Sequence, residues 1–347
     1  MLTERIAVLI ERDKTLQYDI DKKCVLILDR RKLPEKIEYI KCYTSEDVAK
    51  AIEDMVIQGA IPIAYAAGYG MALSLVNYNK KEDKLKILET VAQKMKNTRP
   101  TGSILFKVVD KLLQIGKEAL QKNEDPEIAI VNEVKKMILE EQEIARKCGI
   151  NASKLLDNDD TILTHCLPGP ALYYMLEEAR NQNKNIKVFS TETRPYLQGA
   201  RLTAYILKES GFNVTLITDN MVAYCMWKGI IKKYFTAADR IALDGSIANK
   251  VGTYLYALIA HTHNVPYFVL GYSGPDKNTP TYKDIPIEER DPNELFYLKG
   301  IRIAPEGING YYPAFDIVPS KYISSIITDR GIFSPYEMKF YYEGELK

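Results

Sequence analysis

An alternation that begins after Asp159 constrains this chain more than any other feature. Short β-rich runs there take turns with runs of helical period. TILTHC, IKVFST, NVTLIT, RIALDG and VPYFVLGY read as strands, while PALYYMLEEARN, LQGARLTAYILKESG, NMVAYCMWKGII and ANKVGTYLYALIAHTHN read as the helices between them. Such alternation predicts a parallel sheet with helices on both faces, a Rossmann-like α/β domain. Sheets of this kind hold their ligands beyond the carboxyl ends of the strands, so chemistry is expected in the residues that follow each strand.

The first third has a different pattern. CVLILDRRKLP reads as a strand entering a turn, a short segment follows near IEYIKCY, and Ser45 stands as N-cap for a helix over EDVAKAIEDMVIQ. The longest apolar stretch, Ala60 to Val76, is shorter than the roughly 18 residues a membrane span needs. It contains Pro62, Gly68 and Gly70, and is read as a buried helix. Amphipathic helices are expected near 81–96, 102–122 and 126–156. The GYG at 68–70 follows no strand, so it does not read as a dinucleotide loop. The 347 residues suit two domains of roughly 100–200 residues each. The expected architecture is therefore a small N-terminal domain of mixed strands and helices over 1–125, followed by the Rossmann-like domain over 126–347. The stretch from Gly274 to Asn293 is rich in Pro, Asp and Glu and reads as a long surface loop.

Composition narrows the function. Lys and Arg number 47 against 46 Asp and Glu, which removes the electrostatic case for broad nucleic-acid binding but leaves room for a local anion pocket. The opening MLTERIAVLIERDK carries charges within its apolar run and does not read as a signal peptide. The five cysteines are scattered and include no CxxC pair, so neither a disulfide framework nor a zinc site is expected, and a reduced cytoplasmic setting fits. No GxGxxG follows a strand and no HExxH is present, which argues against NAD and a catalytic metal.

The strand ends name candidates. TILTHC ends at Cys166, IKVFST leads to Glu192 and Arg194, and NVTLIT leads to Asp219 and Asn220. RIALDG is preceded by Asp239 and Arg240 and followed by Ser246, Asn249 and Lys250. Each has a structural reading too. Cys166 can be a small buried apolar residue, Asp239 the partner of Arg240, and Lys250 a solvated charge. Lys250 beside Asn249, early in a helix, suits an anion, because free amides and the helix dipole add to its charge. His261 and His263 fall at a helix end, where capping the last carbonyls is favoured over holding a metal.

At these residues the sequence resembles the methylthioribose-1-phosphate isomerase family, which shares its fold with initiation factor 2B regulatory subunits. The resemblance runs through LDRRKLPEKIEYIKC, QGAIPIAYAAGYGMAL, TRPTGS, THC, ETRPYLQGARLTAY, TDNMVAY, ADRIALDGSIANKVGTY, IPIEERDP and PAFDIVP. It implies that Cys166 and Asp239 are the catalytic pair, and that Gln58, Gly59, Ala60, Arg99, Gln198, Asn249 and Lys250 line the substrate and phosphate pocket. The sequence departs from the family at several points. The family's Arg-Gly-Ala is here Gln58-Gly59-Ala60, its Asn-Thr-Gly after the cysteine is Leu167-Pro168-Gly169, its Asn-Gly-Asp is Leu243-Asp244-Gly245, and its Asn before Pro-Ala-Phe-Asp is Tyr312. These changes surround the implied pocket, and the implied substrate is methylthioribose 1-phosphate or a pentose 1-phosphate with another 5-substituent, such as 5-deoxyribose 1-phosphate.

The resemblance also implies a mechanism without a cofactor. The 1-phosphate blocks the anomeric oxygen, so ring opening needs an acid at the ring oxygen, assigned to Asp239, held protonated by an apolar setting. Hydrogen then moves from C2 to C1 through an enediol or as a hydride, with Cys166 assisting as an acid–base group or by stabilising charge. The expected partner is a small sugar phosphate, with no nucleic acid and no membrane, and the expected assembly is a homodimer through the C-terminal domain. A second class of function is a non-catalytic regulatory subunit of the initiation factor 2B type that binds a sugar phosphate or nucleotide. The presence of both Cys166 and Asp239 argues against it.

Overall fold

A computed structural model describes residues 8–76, 78, 80–99 and 103–343. The N-terminal heptapeptide and Pro100 to Gly102 of the TRPTGS motif lie outside the described residues. The chain divides into one compact unit over Glu11–Gln142 and another built on the residues from Glu143 onward. The helix Pro126–Ser153 runs from the first unit into the second, so this division falls within the helix, whereas the sequence pattern suggests a boundary ahead of it.

In the first unit, strands β1 (Leu16–Asp19), β2 (Cys24–Leu28) and β3 (Tyr39–Cys42) form an antiparallel meander. The helix Ser45–Glu53 is capped by Thr44 and not by Ser45. Thr44 Oγ1 accepts from the Asp47 N–H at 3.1 Å, and the Asp47 carboxylate accepts from the Thr44 N–H at 3.0 Å. This reciprocal box needs an acid three residues after the cap, a spacing that Thr44 meets with Asp47. The apolar stretch forms the helix Ala60–Leu73, buried from Pro62 onward. It packs with the helices Lys81–Asn97, Ser103–Gln121 and the start of Pro126–Ser153, which explains why its apolar residues occupy every face. Gly68 and Gly70 lie inside it.

The second unit holds a seven-stranded sheet, a three-stranded one and the two-stranded pair β11-β12. The strands are β4 (Thr161–Thr164), β5 (Lys187–Thr191), β6 (Asn213–Ile217), β7 (Lys233–Ala237), β8 (Arg240–Ile241), β9 (Ile247–Lys250), β10 (Tyr267–Tyr272), β11 (Tyr297–Leu298), β12 (Ile301–Arg302), β13 (Phe315–Val318), β14 (Ser325–Thr328) and β15 (Gly331–Phe333). The large sheet runs β15-β14-β10-β7-β4-β5-β6, parallel throughout except for β15 at one edge. Helices Pro170–Asn181 and Thr253–Thr262 pack with it, and two apolar clusters form its core.

Two sequence expectations need correction. RIALDG is not a strand of the parallel sheet. The central strand is KYFTA, now β7, while Arg240–Ile241 pairs with β9 in the separate antiparallel sheet β13-β9-β8. ANKVGTYLYALIAHTHN is not wholly helical either, because Ile247–Lys250 is β9 and the helix begins at Thr253. Both errors have one cause. Four or five residues give too few repeats for alternation to stand out beside a longer helical run. The Gly274–Asn293 stretch is largely loop, with one 3-10 turn at Tyr282–Asp284.

Candidate active site

The topology of the large sheet picks out one place for a ligand. From β4 the chain moves outward to β5 and β6, then returns to β7 on the other side of β4. Connections that diverge between two adjacent parallel strands leave a crevice at their carboxyl ends. Cys166 lies just past the end of β4, and Asp239 just past the end of β7. Placing the strand at KYFTA therefore brings Asp239 to the strand end on which the argument depends.

The third charged residue arrives from the small sheet. The Asp239 N–H donates to the Ala248 carbonyl at 2.9 Å, which ties its loop to β9. Strand β9 carries Asn249 and Lys250, both buried. The Asn249 amide donates to Thr253 Oγ1 at 3.0 Å, and the Lys250 ammonium lies 4.7 Å from the centre of the Phe315 ring. Lys250 makes no ion pair among the described residues.

The electrostatics link these groups. Burial pushes the Cys166 thiol up to about 12, with Lys250 opposing the shift and Asp239 adding to it. Asp239 faces solvent, yet the protein packed around its carboxyl pushes it up to about 6, again with Lys250 opposing and Glu288 adding. Cys166, Asp239 and Lys250 are thus within each other's electrostatic reach. At neutral pH the thiol remains protonated.

The surrounding loops are held in uncommon conformations. Cys166, Thr193 and Leu197 all have left-handed backbones, with φ of 60°, 64° and 62°. Each costs on the order of 1–3 kcal/mol, and such residues cluster where function demands a particular geometry. Gly199 lets this loop fold back on β5, since a Cβ there would sit 1.8 Å from the Thr191 carbonyl oxygen. The neighbouring Gln198 Oε1 is buried and accepts no hydrogen bond among the described residues, which suits it to a ligand hydroxyl.

One expectation fails here. The first turn of the helix Thr253–Thr262 is not open to an anion, and Lys250 is not part of that helix. The Asp316 carboxylate accepts from the Gly252 and Tyr254 N–H groups at 2.7 and 3.1 Å. Anion binding near Lys250 must rest on its ammonium and not on that helix end. At the far end of the same helix, His261 packs edge-on against Tyr322, and among the described residues no group of His, Cys, Asp and Glu could hold a metal ion.

The remaining predicted residues belong to the first unit. Gly59, at φ 92°, precedes the helix Ala60–Leu73, whose start has no side-chain cap. Gln58 is buried, with its amide donating to the Met55 carbonyl at 3.1 Å and its own carbonyl accepting from Arg30 at 2.6 Å. Arg99 donates to the Ile52 carbonyl at 3.4 Å and reaches the Met55 sulfur. Gln58, Gly59, Ala60 and Arg99 are therefore grouped around one loop.

Comparison with known proteins now decides the family. The Initiation factor 2 subunit family matches residues 56–335. The methylthioribose-1-phosphate isomerase of Carboxydothermus hydrogenoformans is 40% identical, over 90% of this chain and 93% of its own length. The chain belongs to the Initiation factor 2 subunit family, and this relative is named as one of its methylthioribose-1-phosphate isomerases. The solved 5-methylthioribose 1-phosphate isomerase of Pyrococcus horikoshii superposes with a TM-score of 0.85 at 35% identity, covering 96% of both chains. The translation initiation factor eIF-2B, subunit delta, of A. fulgidus superposes at 0.80 with 33% identity, covering 93% of this chain and 96% of its own.

Within this isomerase fold several residues near Cys166 escape sequence reasoning. Thr193 and Thr203 bond to the Cys166 backbone, His165 bonds to the Val251 carbonyl, and Asp316 occupies the helix start described above. All four lie within motifs quoted above, but no pattern in the sequence assigns them these contacts. Tyr312, noted above as a departure from the family, is buried with its ring 5.9 Å from the Lys250 ammonium. Its hydroxyl is pushed up to about 12, mainly by burial, and Cys166 contributes.

Proposed function

We propose that this chain interconverts a pentose 1-phosphate and the corresponding 2-keto 1-phosphate, with Asp239 and Cys166 as the catalytic pair. The observation that carries the assignment is their position on either side of the crevice between β4 and β7, within electrostatic reach of Lys250. Asp239 gives its proton to the ring oxygen as the C1–O bond of the ring breaks. Hydrogen passes from C2 to C1 with its electron pair, and the C2 hydroxyl proton returns to the Asp239 carboxylate. A thiol raised to about 12 is a poor thiolate base, which favours this hydride route over an enediol. Cys166 then stays neutral and turns its polarisable sulfur toward the positive charge that develops at C1 and C2. Lys250, Asn249 and Gln198 bind the phosphate and hydroxyls, and the resemblance assigns substrate binding to Arg99 and the Gln58–Ala60 segment as well. None of these steps requires a cofactor. A non-catalytic initiation factor subunit, the second class of function considered above, has no use for the Cys166–Asp239 pair.

The substrate is assigned as a sugar with a small 5-substituent. Gln58 stands where the resemblance places an Arg, and a lost charged hydrogen bond costs about 1.5–3 kcal/mol unless something replaces it. Tyr312 places a bulky ring beside Lys250, where the resemblance has an Asn. Wild type should show a higher kcat/KM for 5-deoxyribose 1-phosphate than for methylthioribose 1-phosphate, and Gln58→Arg and Tyr312→Asn should each shift the balance toward the methylthio sugar. A wild type that prefers the methylthio sugar tenfold or more would overturn this assignment.

The enzyme is further assigned as a cytoplasmic homodimer. Its five cysteines are all free, in keeping with a reducing compartment, and no described helix is long and apolar enough to cross a membrane. Leu216 on β6, Met221 in the turn that follows, Tyr224 and Trp227 on the helix Val222–Trp227 and Ile230 just after it are exposed apolar residues, suited to covering by a second copy. Sedimentation velocity should give a dimer that Trp227→Asp dissociates. A monomeric wild type would exclude it.

A further inference from the structure

Cys166 is held by groups outside the residues assigned to substrate. Its N–H donates to Thr193 Oγ1 at 3.0 Å, and its carbonyl accepts from Thr203 Oγ1. Thr193 is fully buried and is fixed in turn, because its N–H donates to the Asp219 carboxylate at 2.9 Å. Its hydroxyl also lies 3.4 Å from Thr191 Oγ1 and 3.3 Å from His165 Nδ1.

The proton positions in this cluster follow from the partners. His165 Nε2 lies 3.0 Å from the Val251 carbonyl oxygen, which can only accept, so Nε2 carries the proton. In the neutral ring Nδ1 is then an acceptor, and the Thr191 hydroxyl, 2.6 Å away, donates to it. The oxygen of Thr191 is left to accept from the Thr193 hydroxyl. The result is one directed chain from the Cys166 N–H through Thr193, Thr191 and His165 to the Val251 carbonyl, one residue beyond Lys250. Tyr256 packs edge-on against the imidazole, with ring centres 5.0 Å apart. A protonated His165 would need two acceptors, and burial holds the ring neutral by pushing it down to about 4.

We propose that Thr193 is a positioning residue for Cys166, and that the neutral His165 imidazole locks the cysteine segment to the strand end that carries Lys250. This rests on the reading of Cys166 as the group acting at C1 and C2. A left-handed non-glycine residue persists only where its surroundings over-determine it, and here the bonds from Thr193 and Thr203 do so on both sides of the residue. They set the thiol's position relative to Lys250, and small misplacements of a reacting group are costly.

The test uses Thr193→Val, which keeps the side chain's shape and removes the acceptor for the Cys166 N–H. Its kcat should fall about tenfold or more while KM changes less than about twofold. Thr193→Ser, which keeps the hydroxyl, should recover most of the rate. Thr203→Val, which removes the bond to the Cys166 carbonyl, should behave like Thr193→Val and serves if that variant does not fold. Imidazole 15N chemical shifts of the wild type should show His165 as the neutral Nε2–H tautomer at pH 6. Wild-type kinetics in both valine variants, an equal loss in Thr193→Val and Thr193→Ser, or a charged His165 at pH 6 would each overturn the proposal. An active Cys166→Ser protein would instead remove the reading on which it rests.

Discussion

Asp239→Asn is expected to abolish turnover in a protein that still folds. The amide keeps the size of the carboxyl and cannot give a proton to the ring oxygen. General acid–base catalysis typically contributes about 10²–10⁴-fold, so the loss should be at least about a hundredfold. Asp239 already faces solvent, so the exchange leaves no buried polar group without water. The acid has a pH signature as well. With the carboxyl pushed up to about 6, its competent protonated form prevails below that pH and is lost as pH rises through it. The kcat/KM profile reports groups of the free enzyme, so it should descend above about pH 6, and the residual activity of Asp239→Asn should lack that limb. Near-normal turnover by the folded variant would take Asp239 out of the mechanism.

Cys166→Ser should be the other severe loss. The thiol, raised to about 12, acts in its neutral form through a polarisable sulfur that a serine hydroxyl lacks. The hydroxyl is also smaller and less polarisable, so it answers developing charge less well at the same position. A fall of about a hundredfold or more in kcat is expected, with the backbone bonds from Thr193 and Thr203 unchanged. The same chemistry predicts slow alkylation of Cys166 by iodoacetamide at pH 7, because little thiolate is present. A serine variant with most of the wild-type rate would return Cys166 to a packing role.

The fold was legible where periodic signals are long. The buried helix after Gly59, the three amphipathic helices and the strands ending at Thr164, Thr191 and Ile217 all stand close to where alternation and helical spacing place them. KYFTA was missed because its buried residues are few and two lysines precede them, while RIALDG offered a more apolar run nearby. The Ala-Asn-Lys segment was absorbed into the helix that follows because its pairing partner, β13, lies far along the chain. Long-range pairing of this kind leaves no local trace. The strand-end rule leads to Cys166, whereas Asp239, which precedes RIALDG, comes to a carboxyl end only with the strand at KYFTA and is otherwise named by the resemblance. The roles of His165 and Thr193 were not legible, because they lie in the left-handed backbones of Cys166 and Thr193 and in which hydroxyl meets which nitrogen. The anion site expected at the start of the helix Thr253–Thr262 failed for the same reason, since Asp316 reaches it from another strand.

The central claim is that this chain turns an aldose 1-phosphate into its ketose without opening it to a free sugar first. The most direct measurement follows 5-deoxyribose 1-phosphate and methylthioribose 1-phosphate by 13C and 31P NMR with the purified protein and no added cofactor. The account predicts a new ketone carbon at C2, a phosphate that stays on C1, and no release of inorganic phosphate, with conversion absent in Asp239→Asn. No ketose from either sugar phosphate, in a protein that binds them, would contradict it and leave a binding subunit in its place.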